Sequence, residues 1–293
     1  MISKKDRIRA LLVENKGLFK CPVCDGKMNA RSAESLTCRA GHSFDLSRKG
    51  YVNLLTSSNA PVYSRELFEA RHRVCETGFY DTLIESITEI LDSYGISEQH
   101  QMLNILDAGC GEGSHLYHLY QKNKVKQQNM YIGIDISKDS ISIAAGNQSD
   151  IIWCVADLAR LPFRNKCMDV ILNILSPANY GEFERVLNDK GIIIKVVPGP
   201  DYLKELRQAL QGHKDVPDYN NSSVLDYFKQ KTDVAEIRNI YFSFVVDPAT
   251  LSDFFRMTPL TWGISTEELN GLHETEISAV TADLVLMIGR KKK

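Results

Sequence analysis

The sequence predicts an α/β protein, a doubly wound and largely parallel sheet preceded by a small cysteine-bearing module. Three observations predict it. From residue 102 short apolar runs recur, MLNILDAG, MYIGIDIS, IIWCVADL, MDVILNIL and GIIIKVVP, each too short for a helix and typical of buried strands. Helix-length segments separate them, the alternation of βαβ units. Three of the seven cysteines cluster with a histidine in the first 50 residues.

In chain order, residues 1–50 are turn-rich and are expected to form a separate domain. Residues 51–100 run from GYVNLL through the polar stretch TSSNAPVYS, a linker, into helical pattern. There Leu67, Ala70 and Val74, then Leu83, Ile87, Ile90 and Leu91, recur near helical spacing. Residues 101–293 hold the strand series, which IYFSFVVD and ADLVLMIGR can complete. The 293 residues accommodate one large domain and one small one. No apolar run is long enough for a membrane span, and MISKKDRIRALLVENKG has no apolar signal core, so a cytoplasmic protein is expected. Charge is uneven: residues 1–75 hold 14 Lys and Arg against 7 Asp and Glu, and the remainder 21 against 30. A basic first quarter suits either a polyanionic partner or a solvated surface.

Cys21-x2-Cys24 and Cys38-x3-His42 stand thirteen residues apart. Two close pairs of soft ligands can close a tetrahedron around Zn²⁺, and CPVCDG reads as a knuckle turn. With all four positions filled, one structural zinc is expected rather than a catalytic one. His42 is the softest ligand, and a site completed by water is the alternative. Cys75, Cys110, Cys154 and Cys167 read as buried small residues.

The segment Ile105-Leu-Asp107-Ala-Gly109-Cys-Gly111-Glu-Gly113 lies between a predicted strand and a predicted helix. Its glycines permit a sharp turn and close approach of a ligand, and its spacing differs from the G-x-G-x-x-G dinucleotide fingerprint. Asp135 ends the next run, where a carboxylate can accept both hydroxyls of a ribose. Asp157 ends the one after, placed to accept from an adenine amino group. Three acids at three successive strand ends describe a nucleoside pocket, although singly each is more often a cap or turn residue.

DAGCGEG, GIDIS and VADLARLPF resemble the cofactor motifs of class I (Rossmann-like) methyltransferases. The resemblance implies S-adenosylmethionine, with S-adenosylhomocysteine as product. Gly109, Gly111 and Gly113 would surround its methionine portion, with Asp107 opening the motif. Asp135 would take the ribose and Asp157 the adenine, with Leu158 beside the ring. His115 would reach the methionine carboxylate or lie on the helix surface. CPVCDGKM…LTCRAGHSFDLSRKGYVNLL, FEARHRVCETGFYDTL and FFRMTPLTWG together resemble the RlmA family. That likeness implies methylation of N1 of a hairpin-loop guanine in domain II of 23S rRNA, and a homodimer. Arg31, Arg39, Arg48, Lys49, Arg65, Arg71 and Arg73 then become candidates for phosphate contacts, and Phe44 and Tyr51 for stacking on bases or for packing.

The acceptor pocket is expected at Asn173-Ile-Leu-Ser176-Pro-Ala-Asn179-Tyr180, where the fourth strand ends. Asn173, Ser176 and Asn179 are candidates for the guanine edge, and Phe255 and Trp262 for stacking. No residue stands out as the base for the N1 proton. Loss of zinc is expected to abolish RNA binding and to spare the cofactor site. Two other readings compete: a class I enzyme acting on a small molecule or lipid quinone, and a non-catalytic zinc-dependent RNA-binding protein.

Overall fold

The computed structural model describes residues 3–30, 35–56, 63–98, 102–123, 129–211, 219–261, 264 and 277–292. Helix α1 (Lys4–Glu14) is capped by Ser3, whose side chain accepts from the Asp6 amide, and it buries Ile8 and Leu12. Three short antiparallel strands follow, β1 (Met28–Asn29), β2 (Ser35–Cys38) and β3 (Ser43–Asp45), in the order β1-β2-β3.

Residues Tyr51–Asn53, at the start of the 51–100 segment expected to be linker and helix, form β4 and join the main sheet as its edge. Helices α2 (Arg65–Glu76) and α3 (Asp81–Glu98) come next, α2 capped by Ser64 and burying Leu67, Ala70 and Val74 as the helical spacing requires. The strand series then appears where the apolar runs place it: β5 (Asn104–Ala108), β6 (Met130–Asp135), β7 (Ile151–Val155), β8 (Met168–Ile174) and β9 (Leu187–Pro198). Helices α4 (Ser114–Asn123), α5 (Lys138–Ala144) and α6 (Tyr180–Val186) connect them. Every residue of β7 and β8 is buried, which explains their unbroken hydrophobicity.

After β9 come α7 (Lys204–Leu210), α8 (Ser222–Lys231), the long β10 (Thr232–Val245), α9 (Pro248–Met257) and β11 (Ala279–Lys291). The strand order is β10-β11-β9-β8-β5-β6-β7-β4. Only β11 runs antiparallel to its neighbours, so the sheet is mixed at this end. From β5 the chain winds through β6 to β7 on one side, and through β8 to β9 on the other. The carboxyl ends of β5 and β8 therefore form a switch point, where open sheets leave a crevice for ligands.

Two cores lie on the two faces. One joins α2, α3 and α9 to the sheet; the other joins α6, α8 and the N-terminal module to it. The cysteine-bearing module thus shares a core with the sheet: Phe19 stacks on Phe163 with ring centroids 5.3 Å apart. The Lys20 amide donates to the Pro162 carbonyl at 3.0 Å, and the Arg164 amide to the Leu18 carbonyl at 2.8 Å.

Candidate active site and metal centre

Beyond β5 the chain turns through Gly109–Gly113 into α4. Gly109 has φ +83°, and a Cβ there would stand 1.9 Å from Ser176 Oγ. Gly113 has φ +82°, and a Cβ would meet the Trp153 ring at 2.5 Å. Neither position admits a larger residue without displacing a neighbour. Gly109, Gly111, His115, Asp135, Asp157, Leu158 and Ser176 all line one cleft of about 1980 Å³, larger than a typical ligand pocket and roomy enough for a nucleoside with a second, base-sized ligand.

Asp135 is held by two backbone donors, Gly111 N to Oδ2 at 2.9 Å and Ser137 N to Oδ1 at 2.8 Å. Burial raises its carboxyl pKa above the usual range. Each oxygen keeps acceptor capacity toward the cleft. Asp157 caps a single 3₁₀ turn over Leu158–Arg160, its Oδ1 accepting from Ala159 N at 2.8 Å. Asp107 differs from its sequence neighbours: it is 1% exposed, lies behind the cleft wall, and neither carboxylate oxygen has a partner. Burial, then the charges of Asp135 and Glu112, push its pKa up to about 8.

His115 is a buried cleft residue, not one of the helix surface. Tyr80 meets its ring edge-on at 4.6 Å, and its Nε2 is buried without a partner. Burial, then Arg71, pushes its pKa down to about 3. A neutral imidazole carries no charge for a carboxylate, whereas Arg71, close enough to depress its titration, does. Arg71 was expected on the RNA surface; it lines the cleft beside Gly111, and its Nη2 donates to the Met257 carbonyl at 3.4 Å. The signal was present, since Arg71 continues the Leu67/Val74 stripe at i+4 of Leu67.

The acceptor candidates separate. Ser176 lines the cleft, after Leu175 in a left-handed conformation at φ +50°. Asn173 is fully buried and its amide is spent on the scaffold: Nδ2 donates to the carbonyls of Ala108 (2.7 Å) and Pro177 (2.9 Å), and Oδ1 accepts from Lys195 Nζ at 2.6 Å. Asn179 caps α6, accepting from Glu182 N. Phe255 is fully buried in the core formed with α9, so it cannot stack on a base. Trp262 lies outside the described residues. Aromatic side chains that do line the cleft near Ser176 include Tyr180 and Tyr227, ring centroids 5.4 Å apart, with Tyr227 half-exposed. Lys195 lines the same wall. Neither Tyr227 nor Lys195 stood in a local motif.

The ligand atoms of Cys21, Cys24, Cys38 and His42 lie within 4.8 Å of one another. Cys24 and Cys38 sulfurs are 3.7 Å apart, and His42 Nδ1 is 3.3 Å from Cys38 Sγ and 3.5 Å from Cys21 Sγ. A tetrahedron with Zn–S near 2.3 Å and Zn–N near 2.0 Å has edges of roughly 3.5–3.8 Å, so the four donors fit zinc and His42 belongs to the set. The left-handed Asp25 (φ +57°) shapes the knuckle. Its carboxylate pairs with Lys20 at 3.1 Å and with Arg160 at 2.8 Å, the latter in the turn that Asp157 caps.

Of the basic candidates, Arg39, Arg48 and Lys49 are exposed on this module, Lys49 Nζ donating to Ser142 Oγ at 2.6 Å. Arg65 pairs with Glu69 (2.8 Å) and Arg73 with Asp253 (2.7 Å). Arg31 lies outside the described residues. Tyr51 is buried in the core and has no face for a base, while Phe44 is half-buried against the second core.

A methyltransferase-domain family model matches residues 99–240, and the RlmA N-terminal (zinc ribbon) model matches residues 19–59. A Bacillus subtilis protein assigned by name to the 23S rRNA (guanine-N(1)-)-methyltransferases is 41% identical over 94% of this chain and 97% of its own. A Micromonospora griseorubida protein assigned the same name is 31% identical over 66% and 69% of the two chains. The Streptomyces fradiae 23S rRNA (guanine(748)-N(1))-methyltransferase is 26% identical over 89% and 94%.

Proposed function

We propose a reaction from one premise: this chain belongs to the RlmA family of 23S rRNA (guanine-N1)-methyltransferases. It transfers a methyl group from S-adenosylmethionine to N1 of a 23S rRNA guanine, in a hairpin loop of domain II. The observation that carries this reading is a likeness spanning both the zinc ribbon and the nucleoside crevice in one relative. A small-molecule enzyme leaves the ribbon and its exposed Arg39, Arg48 and Lys49 without a role. A non-catalytic RNA binder leaves the crevice without one.

Bound S-adenosylmethionine supplies an electrophilic methyl on a sulfonium. The residues of the crevice suit it: Asp135 offers oriented acceptors to the ribose hydroxyls, Asp157 accepts from the adenine amino group, and Leu158 covers the ring. Gly109 and Gly111 admit the methionine portion while Gly113 packs against Trp153 behind them, Arg71 supplies the cation for its carboxylate, and neutral His115 supplies a hydrogen bond. The orphaned His115 Nε2, on the cleft wall, is a polar atom that a ligand or its waters would satisfy. Cys21, Cys24, Cys38 and His42 hold one structural zinc. A division near residue 50 suits the function, with 1–50 reading RNA and the remainder performing transfer, residues 51–98 contributing β4 to the sheet and Arg71 to the cleft.

The target base leaves its stack to enter the cleft and stacks on Tyr227. Its Watson–Crick edge meets Ser176. We place the enzyme in the cytoplasm with the ribosome; among the described residues no helix is long and apolar enough to cross a membrane. A homodimer is supported by the exposed apolar face of edge strand β10, with Val234, Ile237, Tyr241 and Val245 all exposed.

Labelled S-adenosylmethionine and unmodified 23S rRNA test the reading. Label is expected at N1 of one hairpin-loop guanine; label confined to small molecules, or none in RNA, removes it.

A further inference from the structure

Lys195 places a buried amine in the wall of the cleft. It lies within β9 between the buried Ile194 and Val196, and is itself 4% exposed. Among the described residues it forms no ion pair; its Nζ donates to two neutral acceptors, Asn173 Oδ1 at 2.6 Å and the Ser176 carbonyl. Burying an ammonium without a counter-charge is costly. Here burial holds the lysine pKa down to about 8, so a sizeable fraction is neutral at physiological pH.

The hydrogen bonds define what a neutral Lys195 presents. Asn173 Nδ2 donates to the carbonyls of Ala108 and Pro177, which fixes Oδ1 as the atom turned to Nζ. Nζ therefore donates to Asn173 and to Ser176. A neutral amine has two N–H bonds and one lone pair. Those two acceptors and Cε account for three tetrahedral directions, leaving the fourth to the lone pair. Lys195 is part of the cleft wall, beside Ser176 and Pro177.

We propose that Lys195 is the general base that takes the N1 proton of the target guanine. The proposal rests on the guanine-N1 reading given above. The N1–H bond breaks with its electron pair left on N1, and the proton joins the Nζ lone pair to give an ammonium. The pair on N1 forms the bond to the methyl group, whose bond to sulfur breaks with its pair retained by sulfur. One positive charge passes from the sulfonium to Lys195, which releases the proton to solvent. The strands beside it present groups that do not titrate, Asn173 from β8 and Met287 from β11. The titratable groups lining the cleft around it include Tyr180 from α6, Tyr227 from α8, Tyr202, Tyr219, Arg207 from α7 and Asp157.

The test begins with wild-type enzyme on unmodified 23S rRNA. If N1 of guanine is not the methylated atom, the functional reading falls and this proposal with it. If it is, the single-turnover rate is expected to rise with pH and level near pH 8. Lys195→Ala is expected to lose roughly 10²–10⁴-fold in rate and to regain part of it with added primary amines, while binding S-adenosylhomocysteine normally by calorimetry. Lys195→Arg is expected to stay slow, because a guanidinium accepts no proton. In the protein without ligands, the ¹³Cε resonance assigned to Lys195 is expected to titrate near pH 8. A wild-type rate in Lys195→Arg, an Ala variant that amines do not rescue, or titration in the ordinary lysine range overturns the proposal and leaves the guanine-N1 reading standing.

Discussion

Gly109 and Ser176 meet in the wall of the cleft, and a methyl group added at residue 109 would fall 1.9 Å from the serine hydroxyl. A left-handed alanine also costs about 1–2 kcal/mol. Gly109→Ala is therefore expected to weaken S-adenosylhomocysteine binding by at least about tenfold, with secondary structure by circular dichroism unchanged. Asp107 gives a pH prediction. Its folded pKa, near 8, lies far above the ordinary carboxylate value near 4, so the folded state holds the proton more tightly. Stability of the ligand-free protein is full below pH 4 in this respect and declines as pH rises from about 4 to about 8. Asp107→Asn is expected to remove that decline and to raise the melting temperature at pH 8, by roughly 2–4 °C for each kcal/mol relieved. An unchanged melting temperature at pH 8 would contradict the buried, partnerless carboxyl. At this scale the glycines and Asp135 were legible because their chemistry sits in one contiguous motif. Arg71 could be read only from its place on the α2 stripe, and Lys195 and Tyr227 not at all, because a cleft wall assembled from β9 and α8 has no local signature.

Among the elements, the knuckle of the zinc ribbon and the 3₁₀ turn after β7 are joined. Asp25 bonds Arg160, and the backbone around Phe19 pairs with Pro162 through Arg164. The sequence reading expected the two modules to be separable. The shared core instead couples them, and interactions between packed neighbours are commonly worth about 1 kcal/mol. Cys21→Ser and Cys38→Ser are expected to lose zinc by elemental analysis. S-adenosylhomocysteine affinity is expected to fall by roughly three- to tenfold as the Asp157–Leu158 turn loosens. Unchanged affinity in zinc-free protein would show that the turn stands alone. Strands β5 to β9 could be read directly, since burial on both faces leaves unbroken apolar runs. Strand β4, three residues long, is too short to show a period. Strand β10 was seen only in part because its solvent-facing residues, Glu236 and Arg238 among them, interrupt the apolar pattern.

For the molecule as a whole, the basic first quarter and acidic remainder predict a salt-sensitive encounter with RNA. The logarithm of affinity is expected to fall linearly with the logarithm of salt concentration, by about 0.7–0.9 for each phosphate contacted. Replacing Arg39, Arg48 and Lys49 together by Gln is expected to flatten that slope by up to three such increments and to leave S-adenosylhomocysteine binding intact. A slope unaltered by the triple change would move the RNA to another face. The fold class was legible because periodicity and glycine spacing are properties of short segments. The sharing of one core between the zinc ribbon and the sheet was not, because it depends on contacts such as Phe19 with Phe163, 144 positions apart.

That long separation also bears on synthesis. A chain made from its N-terminus presents Ile8, Leu12 and Phe19 to solvent well before β7 and Phe163 have left the ribosome. Strand β4 must wait for the same partner, β7. The four zinc ligands, by contrast, are complete once His42 emerges. Metal capture can thus come first and hold the ribbon in shape, while its apolar face waits more than a hundred residues for the surface that covers it.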